Sequence, residues 1–276
     1  MKKALKILVI GAHPDDNTLL TGGTTLLFTR MGHKVKYIST TNGDAGHHRL
    51  SKEETAAIRR KEAMEAKERL GLEEYTVLEN HDGQLLPTLE MRECLIREIR
   101  KWQADLIMAP RPYDYHPDHR YTGQLVQDAA FLVRVPAIVL DTPALEHDPV
   151  FLYTRDHFSK PYPFSPDITV DITEVYDKKV YALDAFVSQM YEWVPWIKGY
   201  AEEVPADREN RLKWLAKKRK QTLTPAMMDS LARWYGPEKA SVIIHAEAFE
   251  ICEYGKIPSE KEIRSLFPML PERKNV

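Results

Sequence analysis

Two cysteines, Cys94 and Cys252, are all that the 276 residues contain. They lie far apart and outside any Cys-x-x-Cys pair, which excludes a disulfide framework and a thiolate zinc site. Long apolar runs are missing as well, since no stretch approaches the roughly 20 residues that a membrane span needs. The opening MKKALKILVIGA has the basic-then-apolar outline of a secretory leader. It runs into His13-Pro14-Asp15-Asp16, where a leader would place small residues for cleavage. Charge of one sign is also lacking: 39 Lys and Arg stand against 41 Asp and Glu, a formal net charge of −2. No global basic field is therefore available to hold nucleic acid or an acidic membrane. Repeats and low-complexity tracts do not occur. The expectation is a soluble, cytoplasmic protein with no nucleic-acid partner and no membrane span.

What is present is a composition able to fold, with 43% hydrophobic and 29% charged residues. The first 135 residues alternate short apolar runs with longer amphipathic segments. KILVIG (6–11) reads as a strand buried on both faces. A helix is expected from Thr18 to Met31 despite Gly22-Gly23, and a second strand over 35–40 (VKYIST) leads into the polar loop TNGDAGHH. The segment 51–70 opens with a capping box, Ser51 with Glu54, and stops at Gly71. TVLEN, a helix over Leu89–Trp102 and DLIMAP repeat the unit. This alternation predicts an α/β fold of Rossmann-like type, a mostly parallel sheet with helices on both faces. Residues 136–276 read as a C-terminal elaboration of the same domain, with a strand at DITVDI and helices over 173–190 and 209–218. The pairing of SVIIHAEAF with EICEYG fits either a helix or an extended return to the sheet. One domain over 1–276 is the resulting expectation.

Two polar clusters fall where strands of such a sheet end. His13, Pro14, Asp15 and Asp16 follow the first strand, and His116, Pro117, Asp118 and His119 follow the fourth. Ligands of open α/β sheets bind beyond the carboxyl ends of strands. If the two strands are neighbours, two imidazoles and a carboxylate meet at one point and leave a carboxylate and an imidazole unligated. Three protein ligands with an open position suit a catalytic zinc, and the spare groups suit proton transfer. Singly, an Asp after a strand is often a helix N-cap and a lone His is a packed or surface residue; the matched pair of clusters argues otherwise. The two-His-one-carboxylate pattern of non-haem Fe(II) oxygenases is also satisfied formally by His13, Asp15 and His119. Those triads usually sit on β-sandwich barrels, unlike the alternating pattern found here.

AHPDD and HPDH in this arrangement resemble the PIG-L/LmbE-like family of zinc-dependent N-acetylglucosaminyl deacetylases. Supporting matches are the GGT at 22–24, TNGDAG, Arg59-x-x-Glu62, Leu70-Gly71, Asp82-Gly83, and DIT with a downstream Ser188-Gln189. The resemblance implies that His13, Asp16 and His119 bind zinc, with Fe²⁺ or another divalent ion as alternatives. It implies that Asp15 is the general base for the attacking water. His116 would stabilise the oxyanion or protonate the amine, with Asp118 orienting it, and Arg59 and Asp82 would contact substrate. The implied activity removes the N-acetyl group from an N-acetylglucosamine-type sugar or glycoconjugate. The alternatives are a non-catalytic carbohydrate-binding relative and a metal-dependent hydrolase of another amide. A homo-oligomer is compatible with all three.

Two positions depart from the family pattern: Asn17 replaces the common Glu after AHPDD, and Phe186 stands where a histidine often precedes the Ser-Gln pair. Asn17 puts the support of the metal ligands in question, and Phe186 suggests an altered substrate pocket. Among the other candidates, His47 and His48 could line the entrance and His245, near Glu247, could approach the metal. Trp193, Trp196 and Tyr200 could stack on a sugar. Solvated or core roles are the plainer reading for each.

Overall fold

The predicted alternation is present in the first half. In the computed structural model, which describes residues 4–272, this half runs β1 (Lys6–Gly11), α1 (Asp16–Arg30), β2 (Lys34–Thr41), α2 (Lys52–Leu70), β3 (Glu74–Asn80), α3 (Leu89–Trp102), β4 (Leu106–Ala109) and α4 (Pro117–Leu132). The second half supplies β5 (Val150–Thr154), β6 (Ile168–Asp171), α5 (Tyr176–Leu183), α6 (Val194–Ile197), α7 (Arg208–Arg219), α8 (Pro225–Tyr235), α9 (Pro237–Ala240), β7 (Ala246–Ile251) and α10 (Glu260–Leu266). Residues 1–3, in the leader-like opening, and 273–276, at the end of the expected domain, lie outside the described residues. None of the described helices is long and apolar enough to cross a membrane.

Strands from both halves share one seven-stranded sheet in the order β3-β2-β1-β4-β5-β7-β6. The first five in that order are parallel. β7 runs antiparallel between β5 and β6, so the undecided SVIIHAEAF segment returns to the sheet as an extended edge-side strand. Along β1, side chains alternate between two cores. Ile7 and Val9 pack with α1, α2 and α5 residues such as Phe28, Ala63 and Val180, while Leu8 and Ile10 pack with α3 and α4 residues such as Ile96 and Leu125. This two-sided burial is why the run has no polar alternation.

α2 follows the expected rules closely: Ser51 and Glu54 form the capping box, and Gly71 closes the helix in the left-handed conformation at φ 70°. The helix expected over 173–190 is interrupted instead. It comprises a 3₁₀ turn at Thr173–Val175, α5, and a π-helical turn at Ser188–Trp193. The interruption has a tertiary cause, because Glu62 of α2 accepts both the Ser188 amide and its hydroxyl, at 2.7 Å each. α4, α8 and β5 are elements for which the hydrophobic pattern carried no expectation.

β1 is the switch point of the sheet, since it pairs with β2 on one side and β4 on the other. Chain connections leave these strands in opposite directions and open a crevice at their carboxyl ends. The Gly22-Gly23 pair lets α1 approach the far side closely. A Cβ on Gly23 would lie 2.7 to 2.8 Å from Ile172 side-chain atoms. Glu247, buried against Lys179 at 2.7 Å, accepts the Gly23 and Thr24 amides there. Gly23→Ala is therefore expected to destabilise the fold by about 1–3 kcal/mol through overpacking. Gly22→Ala, whose Cβ meets the Lys179 side chain at 3.3 Å and Thr18 Cγ2 at 3.5 Å, should cost less; paired urea-denaturation midpoints check the ranking.

Candidate active site and metal centre

Both predicted clusters converge in this crevice. Asp15 occupies the N-cap position of α1, yet its side chain makes no capping hydrogen bond and turns to the Arg59 guanidinium instead. Asp16, the first residue of the helix, folds back: its Oδ2 accepts the amides of Ala12 at 3.1 Å and His13 at 2.8 Å. On the other side, His116 is the N-cap of α4, and its Nδ1 accepts the Asp118 amide at 3.2 Å. Pro117 fits the first helical position because its missing N–H is not needed there.

Three donor atoms form a triangle. His13 Nδ1 and Asp16 Oδ2 are 3.4 Å apart, His13 Nδ1 and His119 Nε2 3.2 Å, and His119 Nε2 and Asp16 Oδ2 3.4 Å. Ligands about 2.0–2.1 Å from a tetrahedral ion are separated by roughly 3.3–3.4 Å, so the triangle has the dimensions of one metal-binding face. The remaining ring nitrogens agree with this. His13 Nε2 lies 3.3 Å from Asp118 Oδ2, and His119 Nδ1 lies 3.0 Å from Asp114 Oδ1. A carboxylate at one ring nitrogen takes its proton and leaves the lone pair of the other nitrogen directed at the shared point. Two other groupings, His13 with His116 and His119, and His13 with Asp82, His116 and Asp118, also bring possible ligand atoms within 4.8 Å of one another. They fit less well, because both draw on His116, whose Nδ1 is already occupied by an amide.

The electrostatics point the same way. Burial alone would lower the His13 pKa, but the Asp16 charge and the Asp118 and Asp82 carboxylates raise it well above its ordinary value. His119 is likewise raised against burial by Asp16 and Asp114. Asp16, which burial would raise, is held well below the usual carboxylate range by His119 and His13. The cluster thus attracts positive charge. His116 behaves differently: burial and the neighbouring His13 and His119 lower its pKa. As a neutral imidazole accepting at Nδ1, it carries its proton on Nε2 and is a donor there.

Several residues sit differently from the expectation. Asp118, fully buried, accepts the Gly83 amide at 2.7 Å and the Leu85 amide at 3.3 Å. It faces His13, while His116 Nδ1 is 3.9 Å away; the carboxylate expected to orient His116 orients His13. Arg59 is only 2% exposed and lies beneath Asp15, with no open face for substrate. Its guanidinium is wrapped by the TNGDAG loop, where a Cβ on Gly43 or Gly46 would come within 2.7 Å of it. Asp82 Oδ1 lies 3.3 Å from His13 Nε2 and 3.8 Å from His116 Nε2, so it addresses imidazoles first. Asn17 donates to the Ile38 carbonyl at 2.9 Å and ties β1 to β2, a bond that a glutamate could not donate. Phe186 is buried in the apolar core. His245 stacks on Tyr176 at 3.5 Å, remote from the cluster in its contacts, and Tyr200 packs on Trp214. His47 is held by Glu192 at 2.9 Å and His48 stacks on Trp196 at 4.5 Å, so neither is a freely solvated loop residue.

Sequence reasoning assigned no role to Asp44, Tyr75 and Asp114. Asp44 accepts the Asp82 amide at 2.9 Å and pairs with His81, which places the Asp82-Gly83 turn against Asp118. The Tyr75 hydroxyl donates to the Pro14 carbonyl and pins the HPDD turn. Asp114 lies just before the HPDH cluster, where a carboxylate five residues ahead of a ligand-type histidine is the available signal. Behind Arg59, burial pushes the Glu62 carboxyl up to about 7 despite its hydrogen bonds from Ser188 and the pull of Arg59. The folded chain therefore holds a proton that the unfolded chain releases near about pH 4.3, so stability falls as pH rises through that window toward 7. Glu62→Gln, which still offers Ser188 an acceptor and a donor, is expected to remove about 2 kcal/mol of this decline between pH 5 and 7, measured by denaturation at each pH.

Comparison with known proteins identifies relatives of the chain. Residues 8–130 match the PIG-L family, described as GlcNAc-PI de-N-acetylase. The chain is 30% identical over 206 residues to the diacetylchitobiose deacetylase of Thermococcus kodakarensis, covering 71% of this chain and 76% of that protein. It is 27% identical to the probable N-acetyl-alpha-D-glucosaminyl L-malate deacetylase 2 of Bacillus anthracis, covering 74% and 89%. Among solved structures, the N,N'-diacetylchitobiose deacetylase of Pyrococcus horikoshii superimposes with a TM-score of 0.69 at 28% identity, covering 92% of this chain and 85% of that one. Matched in sequence and in fold, the chain belongs to the PIG-L/LmbE-like deacetylase family.

Proposed function

We propose that this chain is a metal-dependent hydrolase that removes the acetyl group from an N-acetylglucosamine-type sugar or glycoconjugate, releasing acetate and a free amine. The observation that carries the reading is the triangle of His13 Nδ1, Asp16 Oδ2 and His119 Nε2 with an unligated carboxylate, Asp15, in the adjacent position. In this reading His13, Asp16 and His119 hold the ion. The mixed N/O donor set suits Zn²⁺ and also accepts Fe²⁺ or another divalent ion. A divalent ion held there supplies Lewis acidity to the amide carbonyl and acidifies a water. Relatives whose names specify diacetylchitobiose and N-acetylglucosaminyl malate support an N-acetylated glucosamine substrate. Strands of both halves in one sheet support treating 1–276 as one domain.

The chain's own residues then divide the proton work. Asp15 accepts the proton of the attacking water, and Arg59 holds that carboxylate in place from below. Two adjacent carboxylates cannot easily both ligate one ion with good geometry, so one ligand and one base is the natural division. His116 donates from Nε2 to the oxygen that becomes negative as the amide carbon turns tetrahedral. As that intermediate collapses, Asp15 passes the proton it took from the water to the leaving amine, while His116 stays neutral and holds the oxygen by its Nε2 hydrogen bond. Asp118 and Asp114 fix the tautomers of His13 and His119, and Asp82 shares in the field around His13 and His116. Arg59 and Asp82 thus act on protein side chains in this reading, where the family resemblance implied contact with substrate.

Acetate release from N-acetylglucosamine and N,N'-diacetylchitobiose, together with metal content by elemental analysis, tests the assignment. Asp15→Asn should retain the ion and lose at least about 100-fold in turnover; activity within a few-fold of wild type would remove Asp15 from the base role. His119→Ala should lose the ion, and full occupancy in that variant would contradict the ligand set. Asp118→Asn should weaken metal affinity by about 10–100-fold, because His13 loses its carboxylate partner. An unchanged chelator-competition curve for Asp118→Asn would return that carboxylate to His116.

A further inference from the structure

Beside the reacting groups stands a pair of aromatic rings to which no role has been given. Tyr115 is 72% exposed, although it directly precedes His116. Its ring lies 5.7 Å from both His116 and His119, nearly perpendicular to each, and 6.3 Å from Phe158. An exposed aromatic at this position gains nothing for the core, and apolar surface at the rim of a polar cleft marks a binding contact.

Phe158 comes from the segment after β5 and is held in place by a buried ion pair. Arg111, directly beyond β4, is shielded from solvent, and its Nε and Nη2 bind the two Asp156 oxygens at 2.6 and 2.7 Å. The same guanidinium donates to the Phe158 carbonyl at 3.1 Å and to the Tyr162 carbonyl at 3.1 Å. Asp156 Oδ1 in turn accepts the Phe158 amide at 2.9 Å. The backbone of Phe158 is thus gripped on both sides by Arg111 and Asp156. Burying such a pair adds little net stability over apolar packing, so its selective effect is to order the segment it binds. Gly123 of α4 makes room for this, since a Cβ there would lie 2.6 Å from the Pro110 carbonyl oxygen and 2.8 Å from the Arg111 backbone.

We infer that Tyr115 and Phe158 form one wall of the sugar subsite, on which the apolar C–H face of the pyranose ring bearing the acetamide packs. The groups beside this wall are polar: His116 adjoins Tyr115, and Asp82 Oδ1 lies 3.8 Å from His116 Nε2. A pyranose has a matching division, an apolar face and a hydroxylated edge, and so does not require a fully apolar pocket. Tyr115 and Phe158 are specificity-determining residues in this arrangement, and Arg111 and Asp156 are positioning residues acting through Phe158. The inference rests on the deacetylase reading of the site, and the test separates the two.

The probe is glucosamine, the amine product, titrated calorimetrically into the metal-loaded protein. Tyr115→Ala and Phe158→Ala should each raise its dissociation constant about five- to tenfold with metal content retained, and Tyr115→Phe should restore most of the affinity. Arg111→Lys, which cannot reproduce the fork, should weaken glucosamine binding in the same direction. Unchanged affinity in both alanine variants, or no glucosamine binding by the wild type, would overturn the wall. Wild-type protein that binds glucosamine in a Tyr115-dependent way yet releases no acetate from either N-acetylglucosamine or N,N'-diacetylchitobiose would keep the wall and defeat the deacetylase reading.

Discussion

The site depends on β1 and β4 lying side by side with parallel sense. Met108 of β4 sits opposite Val9 of β1, so the turns that follow the two strands leave the sheet at the same level. Each turn enters a helix through its N-terminus, α1 through Asp15-Asp16 and α4 through His116-Pro117. A shift of one residue in this register would rotate one cluster to the opposite face of the sheet and separate the donor atoms. The burial of Leu8, Ile10 and Ile107 on one face and Ile7, Val9 and Met108 on the other holds that register from both sides.

On this frame the chain concentrates negative charge. Asp15, Asp16, Asp82, Asp114 and Asp118 gather around three imidazoles, and carboxylates among them hold the His13 and His119 pKa values up against burial. Such a cluster is costly to bury without compensation and is well matched to a divalent ion. The carboxylates do not share one role. Asp16 is aimed at the common point by two backbone amides, Asp114 and Asp118 hold imidazoles, and Asp15 is turned away onto Arg59. Chemically identical groups thus have different partners, which is what the proposed division into ligand and base rests on.

Two buried arginines support this division from opposite sides. Arg59, wrapped by the loop after β2, fixes the position of Asp15; its fit depends on Gly43 and Gly46, where any Cβ would collide with the guanidinium. The same loop is joined to the π-helical turn by Gln189, which donates to the Gly46 carbonyl at 2.8 Å. Arg111 does for the segment after β5 what Arg59 does for Asp15. In each case a guanidinium satisfies several acceptors at once and makes an irregular loop rigid, which a lysine could not do with the same geometry.

Much of this was legible in the residues. Local rules sufficed where the cause is local: the doubly buried β1, the capping box and Gly71 of α2, and the placing of HPDD and HPDH at strand ends. The paired clusters also identified the chemistry and the family, because histidine and aspartate in that spacing have few other uses. What the tertiary structure alone decided were the partners across the fold. That Asp118 lies nearer to His13 than to His116, that Arg59 is buried against Asp15, and that Phe186 is core follow from contacts between residues far apart in sequence. The place of β7 inside the sheet and the break after α5 have the same origin, in the pairing of β7 with β5 and β6 and in the grip of Glu62 on Ser188. Periodicity and motif spacing report on neighbours along the chain, whereas a side chain's role is set by the groups that packing brings within about 3 Å of it.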